Sequence, residues 1–154
     1  MVYFRPYLNY FLAETSKYFN LILFTASFRE YAEKLLNKID PDSKYIQNVL
    51  DRENCTVYQN SFIKDFRIVA SDKFKKEDII LLDNKVISFA YNMYQGIPIL
   101  PFYDDQSDTE LRDIVPFLKS LSSKRVNLKD TLKERYLYYR FNNLVFRNAA
   151  EISK

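Results

Sequence analysis

The chain has 154 residues, 47% of them hydrophobic and 17% aromatic, with thirteen Tyr, thirteen Phe and no Trp, which suits one domain around one core. A net charge of +3 with no dense Lys/Arg tract argues against a nucleic-acid partner, and no apolar run approaches the roughly 20 residues that span a bilayer. The absence of His excludes His-based triads and His metal sites, the single Gly96 excludes a glycine-rich phosphate loop, and the single Cys55 excludes an internal disulfide and favours a reducing, intracellular compartment.

In chain order, Met1-Val2-Tyr3-Phe4-Arg5-Pro6 reads neither as a signal peptide nor as a transit peptide. Pro6 suits a first helical position, and Leu8, Phe11, Leu12, Thr15 and Phe19 follow at helical spacing. Leu21-Ile22-Leu23-Phe24 predicts a buried strand ending at Thr25-Ala26-Ser27. Ser27 and Glu30 predict a capping box, with Phe28, Tyr31, Ala32, Leu35, Leu36 and Ile39 as the buried stripe of the helix that follows. Asp40-Pro41-Asp42-Ser43 has the spacing of a catalytic Asp-x-Asp but follows a helix, so it reads as a turn.

From Ile46 to Val69 the pattern becomes short and β-like, with candidate strands at Val49-Leu50, Thr56-Val57-Tyr58 and Phe62-Ile63. Gln59-Asn60-Ser61 reads as a hairpin turn, Asn60 taking the left-handed conformation. Lys64-Asp65 closes this region, and Ser71 to Asp78 is polar and reads as a loop. The organising stretch is Ile79-Ile80-Leu81-Leu82 followed by Asp83-Asn84: a buried parallel strand whose carboxyl end opens onto polar groups. Ligand crevices of open α/β sheets lie beyond strand carboxyl ends. Strands ending in Thr25 and in Asp83-Asn84 therefore point to a phosphate and metal site, the alternative being two ordinary strand-end turns.

Ile87 to Tyr94 reads as a short helix, and Ile97-Pro98-Ile99-Leu100 as an edge strand marked by its proline. Asp104, Asp105 and Asp108 precede a helix with its apolar stripe at Leu111, Ile114, Val115, Leu118 and Leu121, and Asp108 can cap it. A long Tyr-rich helix is expected from Asn127 to about Phe146. No linker or repeat divides the chain, so residues 1–122 read as the domain and 123–154 as its helical extension.

These residues, in this order, are similar to a known family. Arg5-Pro6, Phe24-Thr25-Ala26-Ser27, Arg52-Glu53 with Cys55, Lys64-Asp65, Asp83-Asn84, Ile97-Pro98-Ile99 and Asp104-Asp105 with Asp108 resemble the phosphatase domain of RNA polymerase II C-terminal-domain phosphatases. Their small relatives are called NLI-interacting-factor-like, and the superfamily is that of the haloacid dehalogenases. The resemblance runs from about Val2 to Leu121.

It implies an α/β fold with a three-layer parallel sheet, a small β insertion, and Mg²⁺-dependent removal of phosphate from serine in proteins. By position, Thr25 and nearby N–H groups would hold phosphoryl oxygens, and Lys64 would neutralise their charge. Asp83 and Asn84 would contribute oxygen ligands to Mg²⁺. Arg52 would contact the substrate phosphate through its planar fork, or else pair with Glu53 or another acid. The implied partner is a phosphoprotein, in the nucleus or cytoplasm rather than the mitochondrion.

Three departures qualify this. The family's Asp-x-Asp-x-Thr strand precedes Arg-Pro, whereas here only Met1 to Phe4 do, and no Asp-x-Asp follows a buried strand. Lys85-Val86 stands in place of Ser-Pro, and Asn60 in place of Gly. The sequence thus carries two expectations: a phosphatase domain inactive as given, or a pseudophosphatase acting as a protein-binding module or a subunit of a larger assembly, as in a mitochondrial import receptor. With the family's central strand missing, the strands at Leu21–Phe24 and Ile79–Leu82 are expected either to close on each other or to have the gap between them filled.

Overall fold

The computed structural model describes residues 2–123 and 127–136. Helix α1 (Leu8–Thr15) leads into β1 (Leu21–Phe24), α2 (Arg29–Ile39) and β2 (Ile46–Leu50). A hairpin of β3 (Thr56–Tyr58) and β4 (Ser61–Ile63) follows, then β5 (Leu81–Asp83), β6 (Gly96–Pro98), α3 (Glu110–Leu121) and α4 (Leu128–Tyr136). The fold is α/β. Strands β1 and β2 pair in parallel, as do β5 and β6, while β3 and β4 are antiparallel. No described helix is long and apolar enough to cross a membrane.

Helix α1 starts later than Pro6 suggests, because Tyr7 takes a left-handed conformation (φ 63°) at its N-cap. What fixes the segment before it is Arg5. Its Nε and Nη2 donate to the two carboxylate oxygens of Asp108 at 2.8 and 2.7 Å, and its Nη1 donates to the Leu100 carbonyl at 2.7 Å. Asp108 also accepts from the Glu110 N–H at 3.0 Å, which caps α3 as expected. The Arg5 guanidinium holds the Asp108 carboxyl below the usual carboxylate range.

The expected capping box of α2 does not form. Thr25 Oγ1 accepts from the Ser27 N–H at 3.1 Å, the group that Glu30 would have reached. Phe28 is the N-cap and offers no side-chain acceptor. Phe28 and Tyr31 are exposed rather than buried, and Ala32 lies at the centre of the contact. After α2, Asp40 confirms the turn reading: its buried carboxylate accepts from the N–H groups of Lys44, Tyr45 and Ile46 at 2.9, 2.9 and 2.7 Å. This turn delivers the chain into β2. The segment from Ile46 to Leu50, expected in the small β region, instead pairs with β1, Leu23 opposite Val49 and Phe24 opposite Leu50. The hairpin proper is β3–β4, and Gln59 and Asn60 both have positive φ (45° and 60°), as a tight two-residue hairpin turn requires.

Strand β5 begins two residues later than expected, since Ile79 still closes the 3₁₀ turn at Lys76–Asp78. Strand β6 pairs only with β5 among the described residues, and Val86–Gln95 is a 3₁₀ segment interrupted at Phe89 and Asn92. Phe89, Met93 and Ile97 pack with Ile114, Leu118 and Leu121 of α3 and Leu132 of α4 into the principal core. All five residues expected on the apolar stripe of α3 are buried. The part of the expected C-terminal helix beyond Tyr136, with Tyr139, lies outside the described residues.

Of the two outcomes expected for the first and fifth strands, direct closure does not occur. Among the described residues β1 and β5 do not pair, and each has a single ladder partner. The sequence reading treated both as fully buried, where unpaired backbone groups would cost about 1–3 kcal/mol each. Leu21, Ile22, Leu23 and Phe24 are all only half-buried.

Two predictions follow from this packing. A Cβ on Gly96 would sit 2.1 Å from Cδ2 of the fully buried Phe89, so Gly96→Ala is expected to lower stability by about 1–3 kcal/mol through overpacking; an unshifted urea midpoint would contradict this. Burial raises the pKa of Asp40, but its three backbone donors outweigh it and the net shift is downward. A carboxylate with a depressed folded-state pKa contributes stability that is present above its unfolded pKa and is lost as pH falls through the folded one. Asp40→Asn should therefore destabilise at pH 7 and converge with the parent in acid, as read from urea midpoints across that range.

Candidate functional site

The site is assembled where four segments end: β1 at Thr25, the 3₁₀ turn Arg52–Asn54, β4 just before Lys64, and β5 at Asp83. The carboxyl end of β1 is tied to that of β2 by Thr25 N–H donating to the Leu50 carbonyl at 2.9 Å, and by Arg52 N–H donating to the Ser27 carbonyl at 3.0 Å. Asp51 caps the turn that follows β2. Its Oδ1 accepts from the Glu53 N–H at 2.9 Å, while Asn54 Oδ1 accepts from the Asp51 N–H at 2.9 Å.

Lys64 and Asp83 meet. Lys64 Nζ donates to Asp83 Oδ2 at 2.5 Å, with the side chains 11% and 7% exposed. Asp83 Oδ1 accepts from the Lys85 N–H at 2.7 Å. The Lys64 N–H donates to the Ser88 carbonyl at 2.7 Å, and its ammonium lies 5.8 Å from the centre of the Phe24 ring. Asn84, the next residue, is exposed.

Among the described residues Arg52 forms no ion pair with an acid. Its Nε donates to the Ala26 carbonyl at 2.7 Å. Its guanidinium lies 4.0 Å from the Phe28 ring centre and 4.9 Å from that of Phe62. This explains why Phe28 leaves the α2 stripe: the ring stacks on a cation instead. Thr25 Oγ1 uses a lone pair on Ser27, and its own proton remains available to donate.

Cys55 sits in the middle of these groups. Its Sγ approaches the carbonyls of Asp51 and Thr25 at 3.7 and 3.9 Å. Burial pushes its thiol pKa up, with Lys64 and Arg52 pulling it down and Asp51 and Asp83 pushing it up. A thiol so placed stays protonated and is a poor nucleophile. The sequence used Cys55 only for compartment and family likeness; the spacing Arg52-Glu53-Asn54-Cys55, one tight turn, was the signal that placed it here.

Mg²⁺ takes six oxygens in octahedral array, commonly one or two carboxylates with waters and substrate phosphates. Among the described residues no three acidic or thiol groups cluster to hold a metal. Asp83, the one candidate carboxylate, already neutralises Lys64 and accepts a backbone N–H. Asp83 and Asn84 therefore do not make a resident Mg²⁺ shell by themselves.

Comparison with known proteins bears on this geometry. Residues 1–130 match the family described as NLI interacting factor-like phosphatase. The chain is 37% identical over 132 residues to CTD small phosphatase-like protein 3 of Caenorhabditis elegans, covering 86% of this chain and 45% of that protein. It is 38% identical over 120 residues to Phosphatase PSR1 of Saccharomyces cerevisiae, covering 78% and 27%. It is 32% identical over 117 residues to CTD nuclear envelope phosphatase 1 of Xenopus laevis, covering 76% and 47%. The chain thus spans less than half the length of these relatives. The solved structure of Fcp1, an essential RNA polymerase II CTD phosphatase, superposes with a TM-score of 0.57 at 19% identity, covering 96% of this chain and 50% of that one. The likeness shows the fold, an α/β architecture of the haloacid dehalogenase type.

The buried pair yields a stability prediction. Removing one partner leaves a charge buried without compensation, which costs about 3–5 kcal/mol, whereas replacing both by apolar groups is often neutral. Lys64→Met alone is expected to destabilise strongly, and adding Asp83→Leu to restore most of the loss. A double-mutant cycle without coupling would show that the pair does not hold β4 to β5.

Proposed function

Because this chain belongs to the NLI interacting factor-like phosphatase family, we propose that it is the phosphate-recognising part of a phosphoprotein (phosphoserine) phosphatase domain, and that these 154 residues alone do not turn over substrate. The observation that supports this reading is that the Lys64 ammonium, held by Asp83, and the Arg52 guanidinium both lie within electrostatic reach of Cys55, whose sulfur also approaches the Thr25 carbonyl. Phosphoryl transfer needs cations and N–H or O–H donors around the equatorial oxygens and a nucleophile in line. The first requirement is met by Lys64, Arg52 and Thr25. For the second, Asp83 is unsuited, since both of its oxygens are engaged, and Cys55 stays a thiol. Positioning without a nucleophile leaves most of the barrier in place.

The same observation favours a second reading, a pseudophosphatase that binds phosphorylated or other protein partners without cleaving them. Under both readings the partner is a protein in the nucleus or cytoplasm, and Asp83 and Asn84 are the described residues that would face Mg²⁺ once further oxygen ligands complete its shell.

The test is binding and turnover measured side by side. The chain should bind a phosphoserine peptide in preference to its unphosphorylated form, and Arg52→Ala should weaken that binding about tenfold, a charged hydrogen-bond pair being worth roughly 1.5–3 kcal/mol. It should release no phosphate from an aryl phosphate with Mg²⁺ present. Equal binding of both peptides would overturn the phosphate site. Steady Mg²⁺-dependent turnover lost in Asp83→Ala would overturn the inactivity.

A further inference from the structure

Phe28 stands where the local rules of the chain disfavour it. It is the N-cap of α2, a position that prefers Ser, Thr, Asp or Asn because their side chains accept from the first free N–H groups of the helix, and it offers no such acceptor. Its side chain is also 65% exposed. A residue that breaks two local preferences at once points to a use outside its own helix. That use is the Arg52 guanidinium, whose carbon lies 4.0 Å from the centre of the Phe28 ring and 4.9 Å from that of the half-buried Phe62.

Arg52 is also held along its length. Its backbone N–H donates to the Ser27 carbonyl at 3.0 Å, its carbonyl accepts from the Cys55 N–H at 3.1 Å, and its Nε donates to the Ala26 carbonyl at 2.7 Å. Among the described residues its Nη1 and Nη2 make no hydrogen bond of their own. An arginine whose Nε is committed presents only its terminal edge, where two N–H groups side by side match two oxygens of one anion. A lysine would carry the same charge, but it has neither the plane on which a ring stacks nor the fork.

Resting on the reading of Arg52 as a phosphate ligand, we propose that Phe28 is a positioning residue for that site. Its ring fixes the plane of the guanidinium, so that Nη1 and Nη2 meet two oxygens of a phosphate monoester end-on. Phe28 itself touches no phosphate and acts only through Arg52. The α2 N-cap is weaker for it, so at this residue phosphate recognition and helix stability pull in opposite directions. The Ala26 carbonyl and the Phe62 ring are the other two fixed points, and each belongs to a different segment of the chain. The guanidinium is therefore oriented before any ligand arrives, which lowers the entropy lost on binding.

The experiment titrates the whole 154-residue chain with acetyl-Gly-Gly-phosphoserine-Gly-Gly-amide, whose glycines give Phe28 nothing to pack on, and follows the Arg52 Nε–H resonance alongside. Phe28→Leu should weaken binding roughly two- to fivefold, the size of an exposed cation–π contact, and shift the Nε–H signal toward that of a free arginine. Phe28→Tyr should restore both. Phe28→Asn should weaken binding as much while leaving the unfolding midpoint unchanged or higher, because it caps α2; a ring that only supports the fold would lose both together. In an Arg52→Ala background Phe28→Leu should change binding no further, and Arg52→Lys should regain little of what Arg52→Ala loses. Binding indifferent to Phe28→Leu, or weakened equally with and without Arg52, would overturn the proposal and leave the phosphate reading intact. A leucine-flanked phosphopeptide weakened by Phe28→Leu where the glycine-flanked one is not would overturn it in favour of direct packing on the ring. If the parent chain does not bind the peptide, the phosphate reading fails; an Nε–H signal that Phe28→Leu leaves unmoved then overturns the positioning as well, and one that moves upholds it.

Discussion

The ion pair between Lys64 and Asp83 is the constraint on which the site depends. It joins the last residues of the hairpin to the end of β5, two elements that share no backbone ladder. A buried ammonium and carboxylate tolerate loss of water only in close, well-oriented contact. The hairpin is therefore held at one height against β5, and the Lys64 N–H bond to Ser88 fixes its backbone there as well. The same contact defines the chemistry. It presents a cation near Cys55 while engaging both oxygens of Asp83.

A second tether works on the opposite side. The carboxyl ends of β1 and β2 are laced by backbone bonds, and the Asp51 cap holds the turn after β2 so that Arg52 reaches back to the Ala26 carbonyl. Phe28 and Phe62 flank its guanidinium. Such stacking orients the planar fork. These bonds stiffen the loop after β1 even though the other edge of that strand lacks a described partner. Site and sheet thus depend on each other: the polar network keeps two short parallel pairs in fixed relation where a continuous ladder does not.

Much of the fold was legible in the sequence wherever the cause is local. The stripe of α3 follows from spacing alone, Asp108 caps because it stands just before a helix start, and Asn60 turns the hairpin because asparagine tolerates positive φ. Thr25, Lys64, Asp83, Asn84 and Arg52 were singled out by residue order. Lys64, Asp83 and Arg52 lie near Cys55 and Thr25 meets it through its backbone carbonyl, whereas Asn84 is exposed.

What only the tertiary structure decided is how competing local options were settled. Ser27 could have capped α2, but Thr25 took its N–H; Phe28 could have filled the helix stripe, but Arg52 offered its ring a cation. Val49 and Leu50 look the same whether they join a hairpin or β1, and the Asp40 turn chose β1. Asn92 carries no mark in the sequence, since an unpaired amide is a property of its surroundings. By itself the sequence determined the elements and the family, because periodicity, turn chemistry and residue order are written along the chain. Partnership is not, because each polar group has several possible partners and burial decides which bonds must form.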